Sequence, residues 1–161
     1  MKSPLLIDRA LLDSVSQEAV TSARRRKNRN FHGSDADAAH RLLNAIEPDS
    51  YIMPHRHLDP AKDETMIVLR GRLGVVFFDA AGQVAQTAVL APVGSVCGVD
   101  IPHGVYHTVL AFQPGTVFFE AKAGPYLPLG DDERAPWAPD EGAPETAAYA
   151  RTLRELFEIS G

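Results

Sequence analysis

Cysteine is almost missing from this chain: Cys97 is the only one among 161 residues. No internal disulfide can therefore staple the fold, and the lone thiol is expected to serve as a small buried apolar residue. A chain this poor in thiols fits a reducing compartment better than an oxidising one. Long hydrophobic runs are missing too. None approaches the roughly 20 residues of a membrane-spanning helix. Leu5-Leu6-Ile7 after Lys2 is too short for a signal-peptide core and runs straight into Asp8-Arg9. A cytoplasmic protein with no membrane partner is the expectation. Positive charge is not in excess: 16 Lys and Arg stand against 21 Asp and Glu, a formal net charge of −5. That balance argues against nucleic acid as the main partner. The one cationic run, Arg24-Arg25-Arg26-Lys27 with Arg29, reads as the solvated exit of a helix near its negative end. A clamp for an anionic ligand is its alternative reading. Internal repeats are absent. The length suits one domain that buries about 70% of its extended surface.

What is present is a series of short apolar runs parted by turn residues. Asp8 to Ala23 opens the series with Leu11, Leu12, Val15, Ala19 and Val20 at helical spacing, and Asp8 or Asp13 is placed to cap or charge its start. Asn28 to His32 and Arg41 to Ile46 read as extended, followed by Thr65–Leu69, Leu73–Phe78, Val84–Leu90, Ser95–Val99, Val105–Phe112 and Thr116–Lys122. Arg70-Gly71-Arg72 signals a hairpin between two of these, Asp79-Ala80-Ala81-Gly82 a second turn and Gln113-Pro114-Gly115 the last. Short strands without intervening helices argue for an antiparallel sandwich or barrel. Proline-rich residues 124–144 cannot form a regular element and read as a strap across the barrel, with Tyr126 and Trp137 as packing or lid residues. Glu145 to Ser160 closes the chain with Tyr149, Leu153, Leu156 and Phe157 at helical spacing. The expected domain is thus single over 1–161: helix 8–23, barrel about 28–122, strap 124–144, helix 145–160. Its terminal helix is expected to dock on its own sheet; a homodimer is the other option.

The densest chemistry lies in Ser50 to Gly71. His55 and His57 are two apart, so on an extended backbone both imidazoles leave one face of a strand. Glu64 opens the following apolar run. Downstream, the turn Pro102-His103-Gly104 would deliver His107 onto the opposite wall of the same cavity. Neutral imidazoles with a carboxylate to offset charge suit a divalent first-row metal at about 2.0–2.1 Å. Elsewhere, Asn28, Asn30 and His32 form a polar row on one face of an extended segment. Asn44 shares a face with Leu42 and Ile46, and Arg41 shares the other with Leu43. Glu120, in an otherwise apolar strand, is costly to bury unless paired or functional.

The pattern His-x-His…Glu-x6-Gly over His55, His57, Glu64 and Gly71, then Pro-x-Gly-x-x-His ending at His107, resembles the two motifs of the cupin superfamily. A longer set is similar to the WbuC-type cupin fold metalloproteins: Asn28-Arg29-Asn30-Phe31-His32, Arg41-Leu42-Leu43-Asn44, Pro54-His55-Arg56-His57, Glu120-Ala121-Lys122-Ala123-Gly124-Pro125-Tyr126 and Trp137-Ala138-Pro139. The resemblance implies a mainly β fold, an antiparallel double-stranded β-helix (jelly-roll barrel) with flanking helices at both ends. It also implies one divalent transition metal (Fe, Zn, Mn, Ni or Cu) held by His55, His57, Glu64 and His107, and a setting in bacterial surface-polysaccharide metabolism. The chain departs from the general cupin pattern in three places. Leu58 to Asp63 lengthens the spacing before the Glu, Val96 stands where a Gly is usual, and Ala111 stands where an Asn is usual. Asp59 and Asp63 therefore remain substitutes for Glu64, and His103 for His107. The expected ligand is a small polar molecule such as a sugar or sugar-nucleotide derivative, oriented by Asn30, His32, Arg41, Asn44, Glu120 and Tyr126. Glu120 and His32 are the acid/base candidates. Isomerase, lyase and oxygenase chemistry are the reaction types open to such a centre, and a metal-dependent binding or sensor protein without turnover is the alternative.

Overall fold

The computed structural model describes residues 3–158. Helix α1 (Arg9–Thr21) starts where the Asp8 carboxylate accepts the Leu11 N–H at 2.9 Å, a side-chain N-cap. Eight strands follow: β1 (Arg26–Asn30), β2 (Ala39–Ile46), β3 (Glu64–Arg70), β4 (Leu73–Phe78), β5 (Val84–Leu90), β6 (Gly98–Ile101), β7 (Tyr106–Ala111) and β8 (Thr116–Ala123). Helix α2 (Thr146–Glu155) comes last. The terminal helix was expected to reach 160; residues 159 and 160 of that expectation lie outside the described residues. Among the described residues no helix is long and apolar enough to cross a membrane.

The strands form two antiparallel sheets, one in the order β1-β2-β8-β3-β6 and one in the order β5-β4-β7. Their inner faces pack through Ile46, Met66, Val68, Leu73, Val75, Leu90, Val109 and Phe118. Helix α1 covers the outer face of the large sheet, laying Leu12, Val15 and Ala19 on Leu43, Ala45 and Val117. Arg70 ties the helix down by donating to the Leu12 carbonyl and the Ser16 hydroxyl. On the outer face of the small sheet, Val76, Phe78 and Leu110 meet Ala135 of the strap and Leu153 of α2, with Trp137, Tyr149 and Phe157 beside them. The terminal helix thus docks on its own sheet. This is a double-stranded β-helix, the jelly-roll barrel of the cupin fold.

Four local expectations need correction. Arg70-Gly71-Arg72 does not close a hairpin: β3 pairs with β6 and β8, whereas β4 pairs with β5 and β7. Gly71, at φ 82°, instead turns the chain from one sheet to the other. By contrast, the expected turn at Gln113-Pro114-Gly115 is present and carries the chain from β7 in the small sheet to β8 in the large one. The strand expected at Ser95–Val99 begins only at Gly98, because Ala91 and Val96 first close a loop on themselves through a backbone bond. Cys97 in that loop is exposed, not a core residue. The arginine run after α1 is paired with carboxylates: Arg24 and Arg26 with Glu141, Arg25 with Asp49.

Candidate metal centre and cavity

Strand pairing in the large sheet arranges the inner wall of the barrel in rows. His40, Lys122, Glu64 and Ile101 lie side by side across β2, β8, β3 and β6. The next row is Asn30, Leu42, Glu120 and Met66, and the one below is Asn28, Asn44, Phe118 and Val68. Alternation along each strand makes these residues neighbours, since every second side chain faces inward. All of these but Ile101 and Val68 border a cavity of about 920 Å³ between the sheets, whose far side carries His55, His57 and His107.

His55 and His57 do not sit on a regular strand as the spacing suggested. They lie in an irregular segment that meets the small sheet at one bridge, His55 opposite His107. The two residues exchange both backbone bonds, at 3.0 and 2.9 Å, so their rings stand 4.8 Å apart. His57 is held beside them by its carbonyl, which accepts the Gly104 N–H at 2.6 Å. The Pro-x-Gly turn therefore works twice, presenting His107 and steadying His57. Glu64 comes from the opposite sheet at the start of β3. Its Oε2 lies 3.0 Å from His57 Nε2 and 4.0 Å from His107 Nε2. The substitutes weighed for these positions are engaged elsewhere. Asp63 accepts from the backbone and ring of exposed His103, and Asp59 caps the Ala61 N–H.

Electrostatics at this point follow from burial. The Nδ1 atoms of His55 and His107 face the carbonyls of Met53 and Val105 at 3.0 and 2.9 Å, so each must donate and each Nε2 keeps its lone pair. His55 opens partly onto the cavity yet is surrounded by protein atoms. Burial, then the nearby His107, pulls its pKa down to about 3. His107 is lowered by burial as well, against the pull of Glu64. For Glu64, burial pushes the carboxyl up, but the His57 hydrogen bond and the Lys122 ammonium outweigh it and hold the group well below the usual range. Glu120 is raised by burial and by Glu64, although Lys122 at 3.0 Å and the Asn44 amide at 2.8 Å favour its charge. Lys122 is penalised by burial but held charged by these two carboxylates. Its Nζ lies 3.3 Å from both Glu64 Oε2 and His57 Nε2.

The donor set suits a metal in most respects. His107 Nε2 is buried with no hydrogen-bond partner, and a lone pair in that position is what a transition ion takes up. His55 presents the same tautomer, and Glu64 is an anion. His57 is the exception, because its Nε2 already faces both Glu64 and the Lys122 ammonium. As they stand, no three His, Cys, Asp or Glu side chains among the described residues are grouped so that they could hold a metal ion.

Other predicted residues scatter. Asn30 and Asn44 border the cavity, as do Glu120 and His32. His32 stacks on His40 with ring centroids 3.9 Å apart. Tyr126 stands exposed at the mouth. Arg41 does not join them: it is exposed on the outer face of β2, the face that also carries Leu43. Its expected part in binding ligand is therefore not supported by its position. Sequence reasoning passed over His40, Lys62 and Lys122. Alternation from Asn44 and Glu120 would have placed His40 and Lys122 on the inner wall.

Comparison with known proteins agrees at the level of fold. The conserved SPY1581 protein of unknown function from Streptococcus pyogenes superposes with a TM-score of 0.53 at 12% identity, covering 79% of this chain and 93% of that one. KdgF from Halomonas sp. gives 0.50 at 13% identity, over 65% and 83% of the two chains. Protein SO0799 from Shewanella oneidensis gives 0.50 at 14% identity, over 62% and 68%. No curated protein matches the sequence. One family model does, over residues 7–90, from α1 through the candidate ligands to the end of β5. The chain belongs to that family, described as a domain of unknown function (DUF6016), and carries it on a cupin barrel.

Proposed function

We propose that this protein is a metal-dependent cupin that holds one divalent transition ion through His55, His57, Glu64 and His107 and acts on a small polar molecule admitted to the cavity. The observation that carries the metal is His107 Nε2, buried, unpartnered and turned the same way as its neighbour His55. Three imidazoles and one carboxylate leave coordination positions open, and a bound ion supplies Lewis-acid polarisation of a carbonyl or hydroxyl. The chain's own groups do the remainder. Asn44 orients Glu120, a carboxyl raised by burial and so suited to hold or pass on a proton beside the centre. Asn28 and Asn30 offer amides to ligand hydroxyls. A sugar or sugar-nucleotide derivative, in surface-polysaccharide metabolism, is supported by those amides and by the WbuC-like motifs. Elemental analysis of the purified protein, with His107→Ala beside it, tests the metal. About one ion per chain, lost in the variant while the fold persists, is expected; a protein that neither retains nor rebinds metal overturns it. Incubation of the loaded protein with a sugar-nucleotide panel then separates turnover from binding, because melting shifts without product mean a sensor.

Lys122 favours a second reading. Its ammonium already balances Glu64 and Glu120. A cavity neutralised in this way would bind its ligand by hydrogen bonds alone, and ligand shifts that persist in excess chelator would establish it.

A further inference from the structure

Lys62 is a buried cation that neither the barrel nor the candidate centre uses. It is 8% exposed and borders the cavity just ahead of β3. An ammonium has three N–H donors. Among the described residues Lys62 commits one, to the Pro125 carbonyl at 2.9 Å. Of the other lysines and arginines bordering the cavity, Arg24, Arg26, Lys27 and Lys122 have carboxylate partners and Arg134 is exposed. Lys122 is bracketed by Glu64 and Glu120, and Arg26 by Glu141 and the Tyr51 carbonyl. Glu133 lies close enough to feel the Lys62 charge, but its two oxygens accept the N–H groups of Leu58 and Gly130. No carboxylate among the described residues pairs directly with the Lys62 ammonium, so two of its N–H donors stay available to an anion entering the cavity. Lys62 is two residues before Glu64, whose partner across the sheet is Lys122, and its ammonium reaches the Pro125 carbonyl just past the end of that strand.

We propose that Lys62 is the anion receptor of the cavity mouth, taking a phosphate or carboxylate group of the small ligand whose polar end reaches toward the histidines. This deepens the proposed function by giving its ligand a negative charge, and it rests on the cavity reading, not on the metal. Lysine serves as a point charge for such groups without demanding the planar match of arginine.

The test is calorimetric titration of the full chain with inorganic phosphate, pyrophosphate and malonate, in chelator so that no metal takes the anion. Binding is expected for wild type and about ten- to a hundredfold weaker for Lys62→Met, the loss of one charge-assisted hydrogen bond. Lys62→Gln, which keeps a donor for the Pro125 carbonyl, should weaken it similarly. Preference for phosphates over malonate, or the reverse, identifies the group. In wild type, amide NMR shifts on adding the preferred anion should cluster at residues 62–64 and at Gly124 and Tyr126, which needs no variant to fold. Absence of binding, shifts centred elsewhere, or equal affinity in the variants overturns the proposal. Anion binding that requires metal and ignores Lys62 removes this inference and leaves the metal reading standing. Lys62-dependent binding by a protein that takes no metal does the opposite.

Discussion

Acidification of the chelator-treated protein is the perturbation whose outcome the buried histidines determine most sharply. His55 titrates at about 3 in the folded chain against an ordinary 6.5, because burial and the neighbouring His107 disfavour its charge. A base whose folded pKa is depressed contributes stability in full above its unfolded pKa and loses it as pH falls from there toward the folded value. At pH 5, one and a half units below 6.5, His55 alone withdraws about 2 kcal/mol, taking about 1.4 kcal/mol per unit. His107 is shifted in the same direction and adds to the loss. Glu120 works against it, since a carboxyl raised in the fold gains stability as pH falls. Glu64 is depressed and contributes only below the ordinary carboxylate range. Urea unfolding at pH 7.5, 6.5, 5.5 and 5.0 measures the sum. We expect the free energy of unfolding to hold near neutrality and fall by about 2 kcal/mol by pH 5, with His55→Gln showing a shallower slope. Stability unchanged between pH 7.5 and 5, in wild type and variant alike, would refute the burial of neutral imidazoles on which the site is built.

Two substitutions probe other parts of the account. Gly71→Ala places a Cβ at φ 82° against the Thr116 hydroxyl and backbone, and should cost about 2 kcal/mol in denaturant unfolding. Lys122→Met removes the cation 3.3 Å from Glu64. It should tighten metal binding about tenfold or more in a competition titration, while lowering the stability of the chelated protein by about 3 kcal/mol through the uncompensated carboxylates.

Much of the barrel could be read from alternation and turn residues. The bounds of β4 and β5 fall where the apolar runs end, and α1 begins at the Asp8 cap. What alternation does not encode is which sheet a strand joins. Arg70-Gly71-Arg72 has the composition of a hairpin, but a glycine at positive φ serves equally to cross between sheets, and the non-local pairing of β3 with β8 decides the matter. The meeting of His55 with His107 was suggested by motif spacing. Its mechanism, a two-way backbone bond that bypasses regular strand structure, was not. Arg41 shows the limit of a one-residue register: its neighbours Leu42 and His40 face the cavity, and it faces out. Lys62 carries no local signal, because its single direct partner, the Pro125 carbonyl, is set only when the strap passes over it.

The measurement that bears most directly on the central claim is anomalous diffraction from crystals of the protein grown with a stoichiometric first-row metal. A single peak is expected within bonding distance of His107 Nε2 and His55 Nε2, with Glu64 completing the contact. Density for an ordered protein with no peak between those two imidazoles, and metal only at surface side chains, would contradict it.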